Sequence, residues 1–191
     1  MKILPTDALI VVDVQNDFCP GGALAVDEGH RVVPIVNQVM PLFARVVFTR
    51  DWHPEDHCSF ADPPEFVDGS WPPHCVADSP GAEFHGDLHV PADALIVSKG
   101  TDPEQEAYSG FSGTGLADDL RRTGVDRIFV CGLATDYCVK ETVLDGLKHA
   151  FAVTLIENAC RGVNFPPGSA AEAIEAMKDA GAHVCWSGDL E

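Results

Sequence analysis

Cys138 closes the segment Gly132-Leu-Ala-Thr-Asp-Tyr-Cys138, which follows the apolar run Arg127–Cys131 and opens a helix-type repeat. A thiol in the first turn of a helix faces the positive end of the macrodipole and backbone N–H groups without helical partners, both of which favour the thiolate. The same donors, with the N–H of Ala134, suit the oxyanion of an acyl transfer. Cys138 is therefore the candidate nucleophile, and Ala134 and Cys138 the candidate oxyanion hole. A nucleophilic thiol needs a group that takes its proton and later protonates the leaving group. Asp13, at the end of Asp7–Val12, is the candidate base. Lys99, which follows Ala94–Ser98 and precedes Gly100, is the candidate cation that keeps the acid ionised and steadies developing negative charge.

A second constellation has metal chemistry. Asp51 and His53 are two residues apart, and on extended chain such a pair points to one side. His74, from a later loop, can close the face. One carboxylate and two imidazoles, with remaining positions left to water, make an open site suited to catalysis. The pair His85-x-x-x-His89 reads as solvated loop. Cys131, Cys160 and Cys185 read as inert small apolar residues. No Gly-x-x-x-x-Gly-Lys-Ser/Thr loop, dinucleotide-type Gly-x-Gly-x-x-Gly or Gly-x-Ser-x-Gly elbow occurs.

These residues fall at the ends of short apolar runs. Asp7–Asp13, Arg45–Arg50, Ala94–Ser98, Arg127–Cys131, Phe151–Ile156 and Ala182–Trp186 read as buried strands. Helical patterns separate them, over about Arg31–Phe43, Gly115–Arg122, the stretch after Asp136, and Ser169–Ala180 before Gly181. In the third, Val139, Thr142, Val143, Gly146, Leu147 and Ala150 share one face. Alternation of this kind predicts an α/β fold with a mainly parallel sheet between helical layers. In such sheets ligands sit at the carboxyl ends of strands, which is where the acid, the imidazoles, the amine and the thiol lie. The rhythm breaks over residues 51–92, a stretch with five His and two Trp that reads as a long functional loop.

The 191 residues fit one domain, 1–191. A net charge of −18, from 12 basic and 30 acidic residues, excludes a phosphate-backbone binder and disfavours anionic membranes. No apolar run approaches the roughly 18 residues of a membrane span. Seven cysteines without a Cys-x-x-Cys, and no signal-type start, predict a reducing cytoplasm. The expected partner is a small molecule; a homo-oligomer stays open.

Several segments together resemble the nicotinamidase branch of the isochorismatase-like cysteine hydrolases. They are Asp13-Val-Gln-Asn-Asp-Phe-Cys-Pro-Gly-Gly-Ala-Leu24, Thr49-Arg-Asp-Trp-His-Pro-Glu-Asp-His-Cys-Ser-Phe60, Trp71-Pro-Pro-His-Cys-Val76, Lys99-Gly100, Tyr108-Ser-Gly-Phe111 and Gly132–Val139. The resemblance implies a three-layer α/β/α domain whose six strands run in the order 3-2-1-4-5-6. It implies a catalytic set of Asp13, Lys99 and Cys138, and a cis peptide between Leu133 and Ala134. Aromatic walls from Phe18, Trp71 and Tyr108 would flank a pyridine ring. One divalent ion, zinc first and manganese or iron next, would sit on Asp51, His53 and His74. The implied reaction converts nicotinamide, and pyrazinamide with it, to the acid and ammonia through a thioester. Another small amide, or a non-catalytic metal-binding role on the same fold, are the alternatives. Two departures stand out. Residue 137 is Tyr where some relatives have His, and the His53–His57 spacing is shorter than in relatives whose second His reaches the metal. His57 is thus expected beside the ligand set, not in it. With that strand order, Lys99 starts roughly 10 Å from the backbone of Asp13, two strand spacings away. Its long stem is expected to reach inward to Asp13 and Cys138.

Overall fold

Every residue of β1 (Asp7–Val12) is buried. It runs parallel to β2 (Val46–Asp51) on one side and to β4 (Arg127–Leu133) on the other. A strand with neighbours on both edges and layers on both faces meets no water, which is why it reads as a continuous apolar run. The computed structural model describes residues 1–66 and 69–191. Its sheet has six strands in the order β3-β2-β1-β4-β5-β6, with β3 at Leu95–Lys99, β5 at Ala152–Arg161 and β6 at His183–Cys185. All pairs are parallel. The order is the expected one.

Among the described residues four α-helices lie outside the sheet: α1 (Val32–Val39), α2 (Leu116–Arg122), α3 (Lys140–Lys148) and α4 (Ser169–Asp179). Side chains of a strand alternate between faces, and β4 shows which layer each face meets. Phe43, just after α1, packs its ring edge-on against Phe129. Gly146 of α3 lies against Ile128, one residue earlier and so on the opposite face. Helix α4 packs beside α3. The anticipated helix over 31–43 is shorter than its pattern. It is flanked by 3-10 turns at Gly29–Arg31 and Met40–Leu42, the second holding Pro41, which lacks the N–H a continuing helix needs. Strands β4 and β5 each run past their anticipated ends, at Cys131 and Ile156.

Strand order reverses direction between β1 and β4, which makes their carboxyl ends the crevice of the sheet. Gly132 lets those ends close up. Its φ is +118°, and a Cβ there would lie 2.1 Å from the carbonyl oxygen of Val12. Asp13 follows at once, itself in the left-handed region at φ 48°. Across the crevice the chain leaves β4 through a cis Leu133–Ala134 peptide and enters a widened turn of π type, Thr135–Val139, before α3 begins. Between β2 and β3 the described residues form no strand. The loop is pinned by single bridges, His53 to Val76, Phe60 to Trp71 and Gln15 to Phe84. No helix among the described residues is long and apolar enough to cross a membrane.

Candidate active site

The ends of β1, β2, β3 and β4 deliver Asp13, Asp51, Lys99 and Cys138 to one enclosed point. All four side chains are buried. Lys99 lies two strands from β1, and its stem crosses the sheet edge. Its Nζ is 2.9 Å from Asp13 Oδ2 and 3.4 Å from Cys138 Sγ, contacts Asp51 Oδ1, and donates to the carbonyl of Ala107 at 3.2 Å. An ammonium with that many acceptors loses its water without losing its hydrogen bonds. Asp13 Oδ1 accepts the Thr49 hydroxyl at 2.6 Å. Its Oδ2, the ion-pair partner of Lys99, receives no well-directed hydrogen bond among the described residues, so a lone pair is left to take a proton.

Burial sets the protonation of this cluster. It pushes the Asp13 carboxyl up, and Lys99 pulls it only part of the way back. Burial also pushes the Cys138 thiol well up, against the pull of Lys99. The lowering anticipated from a helix start is therefore outweighed: Sγ is enclosed, close to two carboxylates, and sits in a π-type turn instead of the first turn of an α-helix. Burial opposes the charge on Lys99, but Asp13 and Asp51 hold its ammonium well above the usual range. For Asp51, burial is outweighed by Lys99 and His53, which keep its carboxyl well below the usual range.

Asp51, His53 and His74 form a buried group whose ligand atoms all lie within 4.8 Å of one another. Both imidazoles are oriented. His53 Nδ1 donates to the carbonyl of Gly100 at 2.9 Å, and His74 Nδ1 to that of Pro72 at 2.8 Å. A carbonyl only accepts, so each Nδ1 carries a hydrogen, and Nε2 is the nitrogen whose lone pair can face an ion once the ring is neutral. His53 Nε2 lies 3.6 Å from Asp51 Oδ2. Two imidazoles, His53 after giving up the proton that Asp51 favours, and a carboxylate are a donor set that fits a divalent ion of the zinc type. His57 lies against His53, ring centroids 4.1 Å apart, but has no lone pair to offer. Its Nε2 donates to the carbonyl of Gln105 at 3.2 Å, and its Nδ1 accepts from the Ser59 N–H at 3.3 Å.

A small pocket opens onto Cys138, Ala134, Asp51 and His74. Phe18, Trp71 and Tyr108 wall it, the indole N–H of Trp71 donating to the Tyr108 hydroxyl at 3.0 Å. Tyr137 stands edge-on to Trp71, ring centroids 5.0 Å apart, and Leu24, Val26 and Val163 complete the lining.

Gln15 and Asp136 support the site although the sequence did not single them out. The fully buried Gln15 amide donates to the carbonyls of Asp51 and Ala82, at 2.8 and 2.9 Å, and accepts the Asp51 N–H at 2.8 Å. The backbone of the metal-group carboxylate is thereby fixed. Asp136 accepts the N–H groups of Val163 and Asn164, at 2.9 and 2.8 Å, and the Ser169 hydroxyl at 2.6 Å. It ties the turn that holds Cys138 to the segment that leads into α4. A polar residue two positions past a strand end was the available signal for Gln15; Asp136 carried none.

Known proteins share this arrangement of chain. The isochorismatase domain family matches residues 7–189. A nicotinamidase of Escherichia coli (strain K12) is 42% identical, the match covering 98% of each chain. The crystal structure of the pyrazinamidase of Pyrococcus horikoshii in complex with zinc is 49% identical, covers 95% of this chain and 99% of its own, and superposes with a TM-score of 0.88. The crystal structure of an L. infantum protein in complex with nicotinate is 38% identical, with coverage of 98% and 96% and a TM-score of 0.89. By sequence along nearly its whole length, and by strand order, the chain belongs to the isochorismatase domain family.

Proposed function

We propose that this protein is a metal-dependent cysteine amidohydrolase that converts nicotinamide to nicotinate and ammonia, and accepts pyrazinamide. The observation that carries the reading is the meeting of Asp13, Lys99 and Cys138 at the floor of an aromatic cavity, beside Asp51, His53 and His74. The E. coli relative named nicotinamidase and the L. infantum structure with nicotinate support the substrate class. The alternatives, a different small amide or a role without catalysis, lack a comparable observation: a binding module has no use for a thiol held between an acid and an ammonium.

In this reading Phe18, Trp71 and Tyr108 hold the pyridine ring and aim the carboxamide at Cys138. Asp13 Oδ2 takes the Sγ proton as the sulfur attacks the carboxamide carbon, so thiolate forms only in the presence of an electrophile. The backbone N–H groups of Ala134 and Cys138 hold the oxyanion. Lys99 balances the charge shared by Asp13 and sulfur. As the C–N bond breaks, Asp13 gives its proton to the leaving nitrogen, and ammonia departs from a thioester. Water then attacks the thioester carbonyl while Asp13 takes its proton. The C–S bond breaks, nicotinate leaves, and Asp13 returns the proton to sulfur. A divalent ion on Asp51, His53 and His74 would supply a Lewis-acid anchor for the ring nitrogen, directly or through water. Zinc is the proposed ion; manganese and iron suit the same donors. The test is ammonia release from nicotinamide by the metal-loaded protein. Turnover of an unrelated small amide with nicotinamide untouched would give the site to that amide.

A further inference from the structure

We infer that Asp17 is a positioning residue for the metal group, acting through the peptide that joins His74 to Cys75. The inference rests on the metal reading above. Asp17 Oδ2 accepts the N–H of Cys75 at 2.7 Å, and Oδ1 accepts the N–H of Ala23 at 3.1 Å. One carboxylate thus joins two loops: the one that carries Phe18 and Leu24 on the cavity wall, and the one that carries His74.

The Cys75 bond has an identifiable task. Cys75 is buried and holds φ at 45°, in the left-handed region where side chains are strained. Such a conformation persists only when its surroundings over-determine it. Cys75 is gripped at both ends. Its N–H is held by Asp17, and its carbonyl accepts the N–H of His53 at 3.0 Å. The N–H of Cys75 belongs to the same rigid peptide plane as the carbonyl of His74. Fixing that plane fixes the direction in which the His74 side chain leaves the backbone. The contact from His53, itself a member of the metal group, then sets the spacing between the two imidazoles.

Asp17 is as closely held as the group it holds. Its own N–H donates to the carbonyl of Gly81 and its carbonyl accepts the N–H of Leu24, both at 3.0 Å. A Cβ on Gly81 would lie 2.1 Å from Asp17 Oδ2, and one on Gly22 would lie 2.4 Å from Asp17 Cα. Two glycines are therefore needed for this carboxylate to reach Cys75. The next residue, Phe18, faces the His74 ring with centroids 5.5 Å apart. A shift at Asp17 moves the metal group and the ring wall together.

The experiment measures zinc affinity by chelator competition, and the rise in Tm that zinc produces, in wild type, Asp17→Ala and Asp17→Asn. Partners of this kind, one shell out from a metal, change affinity by about 10–100-fold. Asp17→Ala is expected to weaken zinc at least about tenfold and to shrink the zinc-induced rise in Tm. Asp17→Asn can keep an acceptor on Cys75 but turns an amide N–H toward that of Ala23, so it should fall between. Val39→Ala, in α1 and away from the site, lowers stability generally and should leave zinc affinity unchanged. Zinc affinity within threefold of wild type in folded Asp17→Ala would overturn the inference. If that variant does not fold, zinc affinity within threefold of wild type in Asp17→Leu, close in size but without an acceptor for Cys75, would do the same. A wild type that binds no divalent ion removes the metal reading, and this inference with it.

Discussion

Replacing Lys99 with Met removes one charge from the site and keeps most of the side chain's volume. The ammonium lies 2.9 Å from Asp13 and also contacts Asp51, and all three groups are buried. Without it, two carboxylates with oxygens no more than 4.8 Å apart face each other in the protein interior. At an effective dielectric near 20, two unit charges at that separation repel by about 3.5 kcal/mol. The loss typical of a buried pair stripped of one partner is about 3–5 kcal/mol, which agrees. For a chain of this length that is a fall in Tm of about 6–20 °C. Asp13 relieves the repulsion by taking up a proton, because burial already pushes its carboxyl up and Lys99 is what restrains it. A protonated Asp13 cannot accept the Cys138 proton, so kcat should fall by about a thousandfold, within the range seen for lost acid–base groups. A divalent ion beside Asp51 replaces part of the missing charge, so the Tm penalty should be larger with chelator than with zinc. Melting curves under both conditions, with ammonia release from nicotinamide, test the chain of reasoning. A Lys99→Met variant that melts within about 2 °C of wild type and keeps kcat within tenfold would refute it. Lys99→Arg should also be poor, since a planar fork cannot occupy the slot between an acid and a thiol.

The remaining tests separate the parts of the site. Cys138→Ala should keep the melting transition and lose turnover by at least about a thousandfold, because the covalent route is gone; residual activity above that level would remove the nucleophile assignment. His53→Ala should drop bound zinc below stoichiometry. His57→Ala should retain it, since both nitrogens of that ring are already engaged, and equal zinc loss in the two variants would place His57 among the ligands. Proton release gives a pH test. Burial opposes charge on His53, but Asp51 outweighs it and raises the imidazole above its ordinary 6.5. In the ion-free protein this pairing stabilises fully below the ordinary value and the gain is lost as pH rises through the raised one. Ion binding needs the neutral ring and runs the opposite way. Zinc affinity should therefore weaken as pH falls through a midpoint above 6.5, with a proton released on binding. His74, lowered chiefly by burial, should contribute none there. Calorimetry in buffers of different ionisation enthalpy measures the release, and its absence at pH about 6.5 would contradict the His53 assignment.

The parts of the site that could be read from sequence are those the topology places unaided. In a parallel sheet each strand ends at the same edge, so a reactive residue at or just past an apolar run is delivered there whatever the loops do. Asp13, Asp51 and Lys99 are of this kind, and their meeting follows from strand order and the reach of one lysine stem. The residues that sequence reasoning missed work by a different principle. Gln15, Asp17 and Asp136 all bond mainly to backbone N–H and C=O groups in segments far along the chain. Any residue but proline offers both groups, so the partner leaves no trace in its own side-chain type. Protonation was illegible for a related reason. The helix-start argument for Cys138 uses a local feature, whereas the burial that outweighs it arises only in the folded chain, where Cys138 lines a pocket with Phe18, Trp71, Tyr108 and Val163. The two kinds of information divide the chemistry between them. Local pattern says which groups are present at the crevice. Long-range enclosure pushes the Asp13 carboxyl and the Cys138 thiol up, which no local pattern shows.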